Sequence, residues 1–298
     1  MHILNHGSFI GVDRGCLTCT LPDKTQKRLP LCDVLAVIVA ARGVCFSGES
    51  FSRLLENNAV ILHCDCTYKP IGRTVGLHRI VHNEIFERQI NMPHSLQAKL
   101  WFALLKAKSE NQAFLLDTLS KEHKIWQYIQ DDCLEEGNIA RHYWKVFFKS
   151  FGKNAPKKRE HQNAESPING MLNYAYAVMS ALLHRSILIH GLNPVLGIHH
   201  KYRFRSNPLV YDLIEPLRPC CDFILLRYHK KYPRFAIDTF VKHCAKDIIS
   251  ARIHIGKAKN VSLPCALDNY ISSVCDVYKS ESLKNIKIPS LKGLSFEE

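Results

Sequence analysis

The sequence predicts an α+β protein of two domains, in which a small N-terminal β-rich domain precedes a larger all-α C-terminal domain. Up to about residue 75, short apolar runs alternate with turn residues, whereas beyond about residue 86 apolar residues recur with the helical period. A chain of 298 residues also exceeds the usual size of one hydrophobic core. We therefore assign residues 1–75 to the first domain, 76–90 to a linker and 91–298 to the second, with a polar tail from about residue 279 that we expect to fray.

The N-terminal domain is predicted to hold several strands and one helix. Residues 9–12, 16–21 and 59–65 are short apolar runs, the first two bounded by turn residues, and each predicts a strand. Residues 33–40 are almost continuously apolar and rich in β-branched side chains, as expected of a strand buried on both faces. Residues 50–58 predict a short helix that buries Leu54 and Leu55.

The twelve cysteines indicate reduced thiols in a cytoplasmic protein, because the N-terminus lacks the basic and apolar regions of an export signal. Two pairs, Cys16/Cys19 and Cys64/Cys66, have spacings worth considering as zinc sites. Each pair lies in a β-rich apolar run, so buried free cysteine is the favoured interpretation.

The second domain carries strong helix signals. Residues 95–108 repeat apolar side chains at an amphipathic spacing, and residues 111–119 continue in the same style. Ser166 and Pro167 begin a long, mostly apolar helix that ends before Gly191. Polar residues interrupt this helix, so we interpret it as the central buried helix of a bundle and expect no membrane partner.

Glu136 belongs to a predicted helix over 132–148 whose apolar stripe contains Ile139, Tyr143, Val146 and Phe147. Its spacing from Ile139 and Tyr143 puts a carboxylate on the buried face, where an unpaired charge is very costly. A salt bridge to an interior lysine or arginine is one explanation. A role in a functional site is the other.

The stretch from Gly191 to Asp222 contains the densest chemistry of the chain. His199 and His200 precede Asp212 and Glu215, and Asn207 with Pro208 predicts the start of the helix that carries both acids. Two acids three residues apart share one helix face. Facing a loop imidazole, they would make a plausible divalent-metal site. A surface helix with two acids beside a basic loop is the alternative.

The charge of the chain indicates a polyanionic partner. The formal net charge is +13, with 9 Lys/Arg against 7 Asp/Glu in residues 1–85 and 31 against 20 in the rest. Nucleic acid is the first expectation and an anionic membrane surface the second. Phosphate contacts are expected from a basic loop, from the arginines beside the histidine pair and from a segment that interleaves cations with tyrosines. The candidates are Lys157, Lys158, Arg159, Arg203, Arg205, Arg218, Arg227, Lys230 and Lys231.

Three segments together resemble one family, the CRISPR-associated spacer-acquisition integrases. Residues 136–143, EGNIARHY, resemble the family's E-G-x-A-A-x-x-Y helix, and residues 166–176, SPINGMLNYAY, resemble its D-P-x-N-x-x-L-N-Y-x-Y helix. Residues 191–200, GLNPVLGIHH, with 209–219 and Asp222 are similar to G-L-x-P-x-x-G-x-x-H and S-L-x-x-D-L-x-E-x-x-R-P-x-x-D. Residues 54–65, LLENNAVILHCD, resemble the form found beside type II systems.

The resemblance implies a metal site and a reaction. The implied ligands are Glu136, His200 and Glu215, with Asp212 adjacent, and such a set suits Mn²⁺ or Mg²⁺. The implied activity is integration of new spacer DNA by attack of a 3′-hydroxyl on a phosphodiester of the CRISPR repeat. The alternatives are a metal-dependent endonuclease acting on branched or single-stranded DNA, and a catalytically idle basic DNA-binding subunit.

The resemblance also implies partners. It predicts double-stranded DNA, comprising the prespacer and the CRISPR leader-repeat, and a homodimer formed largely through the N-terminal domain. Two such dimers would be bridged by a dimer of the small ferredoxin-like CRISPR adaptation protein, and the type II effector nuclease is a further candidate.

One departure from the family pattern concerns Glu215. Pro216 follows it directly, and proline inside a regular helix costs about 3 kcal/mol and removes a backbone donor. We therefore expect the helix to end or kink at Pro216, which bears on where Glu215 points.

Overall fold

The computed structural model describes residues 1–76, 83–131, 135–161, 164–201, 207–232 and 236–297. The chain divides into two compact units, Met1–Ile80 and Val81–Glu298. The first unit is β-rich and the second is mainly helical. The predicted fold class is confirmed in this respect.

The N-terminal unit is built from two four-stranded sheets. One sheet has the order β1-β5-β7-β8, in which the first three strands are parallel, and the other has the order β4-β3-β2-β6. Their bounds are β1 His2–Ile3, β2 Phe9–Asp13, β3 Cys16–Thr20, β4 Gln26–Pro30, β5 Ala36–Val39, β6 Cys45–Phe46, α1 Gly48–Glu56, β7 Val60–Cys64 and β8 Pro70–Thr74, with a short 3₁₀ helix at Leu31–Asp33.

The core of this unit joins the inward faces of the sheets to α1. Ile10, Leu17, Val37, Leu54 and Ile61 are all fully buried within it. These residues lie in the apolar runs that predict β2, β3, β5, β7 and α1, so the core of this unit follows from local sequence patterns, whereas β1, β4, β6 and β8 were not predicted.

The cysteine pairs of this unit differ in exposure. Cys19 is buried and Cys16 is half-buried, and both lie on β3 three residues apart, so their side chains point to opposite faces of the sheet. Cys64 is half-buried at the end of β7, whereas Cys66 is exposed. The C-x-x-C pair therefore has no chelating geometry.

In the described part of the chain, the C-terminal unit contains nine α-helices, two short 3₁₀ helices and three strands. The helices are α2 Asn83–Ile90, α3 His94–Thr118, α4 Ile125–Gln130, α5 Glu136–Phe148, α6 Pro167–Ile189, α7 Pro208–Leu213, α8 Arg218–Lys231, α9 Ile237–Ser250 and α10 Leu263–Ser280, with 3₁₀ helices at Lys149–Asn154 and Glu215–Leu217. The strands are β9 Ala251–Ile255, β10 Ala258–Ser262 and β11 Pro289–Phe296.

The long apolar helix α6 lies at the centre of this unit. It packs against α7, α8, α9 and α10. Ser166 and Pro167 begin it as predicted, and Gly191 follows its end with a positive φ of 76°. No helix in the described ranges is both long and apolar enough to cross a membrane.

Three features of the C-terminal unit differ from the sequence predictions. Residues 95–108 and 111–119 belong to one helix, α3. Part of the expected linker forms α2, whereas residues 77–82 lie outside the described residues. The unit is not all-α, because β10, β9 and β11 form an antiparallel sheet.

The polar tail does not fray as expected, because Pro289–Phe296 pairs with β9 as β11. Leu291 is 5% exposed, and Asn111 of α3 binds the strand's backbone. A long-range side-chain contact thus orders a segment whose composition indicates disorder.

The proline break occurs where the sequence predicts it. Helix α7 ends at Leu213, a 3₁₀ turn holds Glu215 and Pro216, and α8 starts at Arg218. Asn111 stabilises the turn by donating from Nδ2 to the Pro216 carbonyl at 2.8 Å. Helix α3 therefore supports the turn that presents Glu215.

We expect Asn111→Ala to lower the free energy of unfolding by about 3 kcal/mol. Nδ2 also donates to the Pro289 carbonyl at 3.0 Å, and Oδ1 accepts from the Leu291 N–H at 2.9 Å. The variant would leave these buried backbone groups unpaired, and each unpaired group costs about 1–3 kcal/mol. Urea denaturation measures the change. Asn269→Ala is the control, because Asn269 is exposed and its side chain donates to the Cys265 carbonyl of its own helix. An equal loss in both variants would contradict this role of Asn111.

Candidate functional site

Asp212 organises the histidine-bearing segment between α6 and α7. This carboxylate is fully buried and accepts the backbone N–H groups of Ile198 at 2.6 Å, His199 at 3.0 Å and His200 at 3.2 Å. It also lies 2.5 Å from His200 Nδ1. Because a buried carboxylate accepts hydrogen bonds, Nδ1 carries the proton and Nε2 is left as the nitrogen that can bind a metal.

Gly197 permits this close approach of the loop to α7. A Cβ at this position would lie 2.6 Å from Pro208 Cβ and 3.0 Å from Asp212 Oδ2, and it would overlap the His200 carbonyl oxygen. Any side chain would therefore push the loop away from the carboxylate that holds it.

Helix α3 contributes two side chains to the same region. Trp101 stacks on His199 with ring centroids 4.4 Å apart and planes at 2°, and it meets the edge of His200 at 5.8 Å. Lys108 lies two helical turns further along the same helix. Helix α3 thus reaches both the histidine pair and the acidic residues.

Lys108 brings Glu136 and Glu215 together. Its Nζ lies 2.8 Å from Glu136 Oε1 and 2.6 Å from Glu215 Oε2. The Lys108 and Glu215 side chains are 12% and 6% exposed, whereas that of Glu136 is 46% exposed. Glu136 is less buried than its spacing from Ile139 and Tyr143 predicts. The reason is that it lies in the first turn of α5. The expected partner is present and is an interior lysine.

Glu215 is held as a carboxylate. Burial alone would raise its pKa, but the positive charges of Arg218 and Lys108 outweigh burial and the pKa lies below its ordinary value. The Nε atom of Arg218 lies 2.9 Å from Glu215 Oε1. Despite Pro216, Glu215 therefore points into the unit and towards Glu136.

A second buried carboxylate lies beneath the site. Asp222 accepts hydrogen bonds from the Tyr143 hydroxyl at 2.6 Å and the Tyr176 hydroxyl at 2.5 Å. The Arg218 guanidinium lies over the Tyr176 ring at 5.0 Å. Asp222 thereby links α5, α6 and α8, the three helices that carry the family-like motifs.

Arg159 is anchored rather than solvent-facing. Its guanidinium donates to Asn173 Oδ1 at 2.6 Å and Asn169 Oδ1 at 3.2 Å, and it lies over the rings of Trp144 and Tyr176 at 5.5 and 5.2 Å. Two independent kinds of contact thus tie the basic segment to α6.

The other predicted phosphate-binding residues fall into three groups. Lys157, Lys158, Lys230 and Lys231 are exposed. Arg227 lies over the Phe296 ring at 4.2 Å and 4.0 Å from Asp247. Arg203 and Arg205 lie outside the described residues.

The predicted metal ligands form a cation-binding arrangement that is only partly assembled. Glu136 and Glu215 already share one cation, the Lys108 ammonium group. His200 lies near enough to Glu215 that a positive charge on its ring would also lower the pKa of that carboxyl. Within the part of the chain that the structure describes, no three His, Cys, Asp or Glu side chains are close enough to hold a metal ion. The donor set nevertheless fits a divalent ion, because two carboxylates already converge on a positive charge.

Sequence reasoning missed Lys108 and Trp101. One signal was available for Lys108, since it continues the four-residue spacing of the buried residues Leu96, Leu100 and Leu104. A lysine in an apolar stripe needs a partner. Trp101 carries no comparable signal.

We expect Gly197→Ala to destabilise the protein by about 1–3 kcal/mol, because overpacking shifts the surrounding backbone. The shift should also weaken the stacking of Trp101 on His199. Chemical denaturation measures the first effect and near-UV circular dichroism the second. Gly137→Ala is the control, since a Cβ there meets nothing within 4 Å and alanine stabilises a helix by about 0.5–1 kcal/mol relative to glycine. Unchanged stability in Gly197→Ala would show that the loop can accommodate a Cβ atom at this position without moving away from Asp212.

We expect Asp222 to make stability depend on pH between about 4 and 6. Burial raises its pKa from 3.8 to about 6, against the hydrogen bonds from Tyr143 and Tyr176. The folded state therefore binds the Asp222 proton more tightly than the unfolded chain does. The protonated carboxyl contributes its full stability below about pH 4, and this contribution is lost as the pH rises through about 6. The loss is about 3 kcal/mol.

Urea denaturation of the wild type and Asp222→Asn between pH 4 and 7 isolates this effect. The stability difference, wild type minus variant, should fall as the pH rises to 6 and then level off. Asp276→Asn, at an exposed position of α10, controls for the loss of one carboxylate. A difference that rises with pH would reverse the sign of the inferred shift.

The sequence matches a known protein family. The sequence model of the family described as CRISPR associated protein Cas1 matches residues 1–233. A CRISPR-associated endonuclease Cas1 from Neisseria meningitidis serogroup C (strain 8013) is 26% identical over 275 residues, which cover 89% of this chain and 88% of that protein.

Two solved structures share the fold. A casposase bound to integration product superposes with a TM-score of 0.83 at 17% identity, covering 96% of this chain and 92% of its own. A Cas6-RT-Cas1–Cas2 complex gives a TM-score of 0.73 at 15% identity, covering 96% of this chain and 35% of its own. The family match spans well over half of the sequence and includes Glu136, His200, Glu215 and Asp222. The chain therefore belongs to the Cas1 family of CRISPR-associated proteins.

Proposed function

We propose that this chain is a metal-dependent DNA integrase of CRISPR adaptation, of the type II-associated form, which inserts new spacer DNA into the CRISPR array. The observation that carries the proposal is the convergence of Glu136 and Glu215 on one cation, beside a histidine oriented by Asp212. Membership of the Cas1 family and likeness to named Cas1 endonucleases support a nuclease or integrase of CRISPR adaptation at the coarser level.

Glu136, Glu215 and His200 Nε2 are the proposed ligands of Mg²⁺ or Mn²⁺. Asp212 is the weaker candidate, because its two oxygens already accept four hydrogen bonds from the loop. Its proposed role is to orient His200, as carboxylates do for many metal-binding histidines. When bound, the ion would lower the pKa of the attacking hydroxyl and neutralise charge on the reacting phosphate.

The reaction exchanges one phosphodiester for another. The 3′-hydroxyl of the spacer DNA loses its proton and attacks a phosphorus atom of the repeat. The new P–O bond forms as the bond to the existing 3′-oxygen breaks, and that oxygen takes up a proton. The chain's own residues position this exchange. Arg218 keeps Glu215 ionised, and the exposed lysines Lys157, Lys158, Lys230 and Lys231 attract the DNA backbone. Arg203 and Arg205 are proposed phosphate contacts.

Hydrolysis by the same residues is the second candidate function. Water would replace the 3′-hydroxyl as nucleophile on branched or single-stranded DNA. The name endonuclease carried by the Neisseria relative favours this possibility. An idle DNA-binding subunit is less well supported, because it requires Glu215 to point away from Glu136, whereas one lysine contacts both.

The proposed partners follow from the family. They are double-stranded DNA, a second copy of the chain and the small ferredoxin-like adaptation protein, with the type II effector nuclease as a further candidate. The likeness to a chain of a Cas6-RT-Cas1–Cas2 complex and to a casposase bound to integration product supports the DNA and Cas partners.

A strand-transfer assay tests the proposed function. It combines supercoiled plasmid carrying a CRISPR leader and repeat, a labelled 3′-hydroxyl duplex, the small partner protein and either Mn²⁺ or EDTA. We expect label to join the plasmid only with metal. Glu136→Ala and His200→Ala should each reduce joining by about 100-fold or more, since even residues that only support metal ligands are worth about 10–100-fold.

Glu135→Ala is the matched control, because Glu135 is the adjacent, exposed acid at the start of α5. It should join strands as the wild type does, and Glu136→Ala should still bind duplex. Nicking without joining would favour the nuclease, and binding without either reaction would favour the idle subunit. Joining by Glu136→Ala would remove Glu136 from the ligand set.

A further inference from the structure

Lys108 occupies the position between two proposed metal ligands. Its ammonium group donates to Glu136 Oε1 at 2.8 Å and lies 2.6 Å from Glu215 Oε2. The carboxylates come from different elements, α5 and the 3₁₀ turn before α8, so one cation connects them. The Lys108 side chain is only 12% exposed. The positive charge of Lys108 therefore lies between the two carboxylates and is largely shielded from solvent.

The charges of this cluster balance without a metal ion. Glu136 and Glu215 supply two negative charges, and Lys108 and Arg218 supply two positive charges. A divalent ion added to this balanced group would meet a lysine ammonium at its own ligands, and like charges at such short range repel strongly. One of the two resident cations therefore has to leave before a metal binds.

Lys108 is the cation that can move. Arg218 is fixed by Glu215 Oε1 and by the Tyr176 ring beneath it. Lysine carries its charge on a flexible four-carbon chain, whereas a guanidinium is a rigid fork. The mobile group is therefore the ammonium of Lys108.

A second position that could hold the Lys108 ammonium group lies beside its present position between Glu136 and Glu215. Lys108, Gln112 and Glu136 line a cavity of about 10 Å³ with Leu105, Ser109, Ile139 and Ala140. This is about the space that one water molecule needs, and an ammonium group is of similar size. Gln112 is 3% exposed, and its Oε1 has no hydrogen-bond partner among the described residues. Gln112 lies one helical turn beyond Lys108, on the same face of α3.

We propose that Lys108 is an internal counter-cation that competes with the divalent metal for Glu136 and Glu215. Without metal its ammonium group holds the two carboxylates together, and metal binding moves it towards Gln112 Oε1. The inference rests on the proposed metal site and deepens it. Metal binding is then a cation exchange. Lys108 keeps Glu136 and Glu215 together in the metal-free protein, and its displacement lowers the affinity of the site for the metal.

Calorimetric titration of the full chain with Mn²⁺ tests the exchange. Lys108→Met and Lys108→Gln should bind Mn²⁺ about ten- to hundred-fold more tightly than the wild type, because the metal no longer breaks hydrogen bonds to a charged group. Without metal, the melting temperatures of both variants should lie below that of the wild type, since the two carboxylates then repel each other. Adding Mn²⁺ should raise the melting temperatures of the variants by more than it raises the melting temperature of the wild type. A purely structural lysine would not increase metal affinity on removal.

Two control variants separate charge from position. Lys108→Arg keeps the positive charge and should bind Mn²⁺ no more tightly than the wild type. Lys106→Met removes an exposed lysine from the same helix and should leave the affinity unchanged. Lys108→Gln, which keeps a polar side chain, serves if Lys108→Met does not fold.

Magnetic resonance of the wild-type chain supplies an independent measurement. With lysines labelled with ¹³C at Cε, the Lys108 signal is identified by its absence in Lys108→Arg. It should shift on titration with Mg²⁺ in the wild type and stay unchanged in Glu136→Gln.

The outcomes distinguish this inference from the proposed function. If the wild type binds no Mn²⁺, or if binding survives in Glu136→Gln, the proposed metal site is wrong and the exchange falls with it. If binding depends on Glu136 but Lys108→Met and Lys108→Gln bind Mn²⁺ no more tightly than the wild type, the metal site stands and the counter-cation role of Lys108 is refuted.

Discussion

The buried carboxylate of Asp212 is the interaction on which the geometry of the site depends. A loop between two helices has unpaired backbone donors, and such groups must find partners when they are buried. Three consecutive N–H groups of the histidine segment find them on Asp212. The same carboxylate then orients the His200 ring. One acidic side chain therefore both holds the loop and leaves Nε2 of His200 as the ring nitrogen available to a ligand.

The acidic side of the site depends on compensation between burial and charge. Glu215 is almost completely buried, and burial by itself disfavours its ionised form. The positive charges of Arg218 and Lys108 outweigh burial, so the pKa of Glu215 lies below its ordinary value. Breaking such a group by removing one partner leaves an uncompensated charge, which is more costly than never having buried the group. We therefore expect the cluster to be stable only as a unit, and in the proposed exchange a metal ion replaces a cation that is already there.

Asp222 gives this cluster a rigid base. Two tyrosine hydroxyls from α5 and α6 bind its two oxygens, and Arg218 lies over one of the tyrosine rings. The helix that carries Glu136 and the helix that carries Arg218 are thus joined below the site by hydrogen bonds as well as by packing. A buried polar network of this kind specifies one arrangement when all of its members are paired.

Local patterns in the sequence determined β2, β3, β5 and β7 of the first unit, the apolar stripe of α5, the ends of α6 and the break at Pro216, because each depends on residues a few positions apart. The resemblance to the family's motifs likewise indicated Glu136, His200 and Glu215, with Asp212 adjacent, as a group. Only the tertiary structure decided the roles of Lys108 and Trp101, the full engagement of Asp212 and the ordering of β11 by Asn111. These contacts join residues distant in the chain. Their partners are set by how helices pack, which no periodicity in one segment encodes.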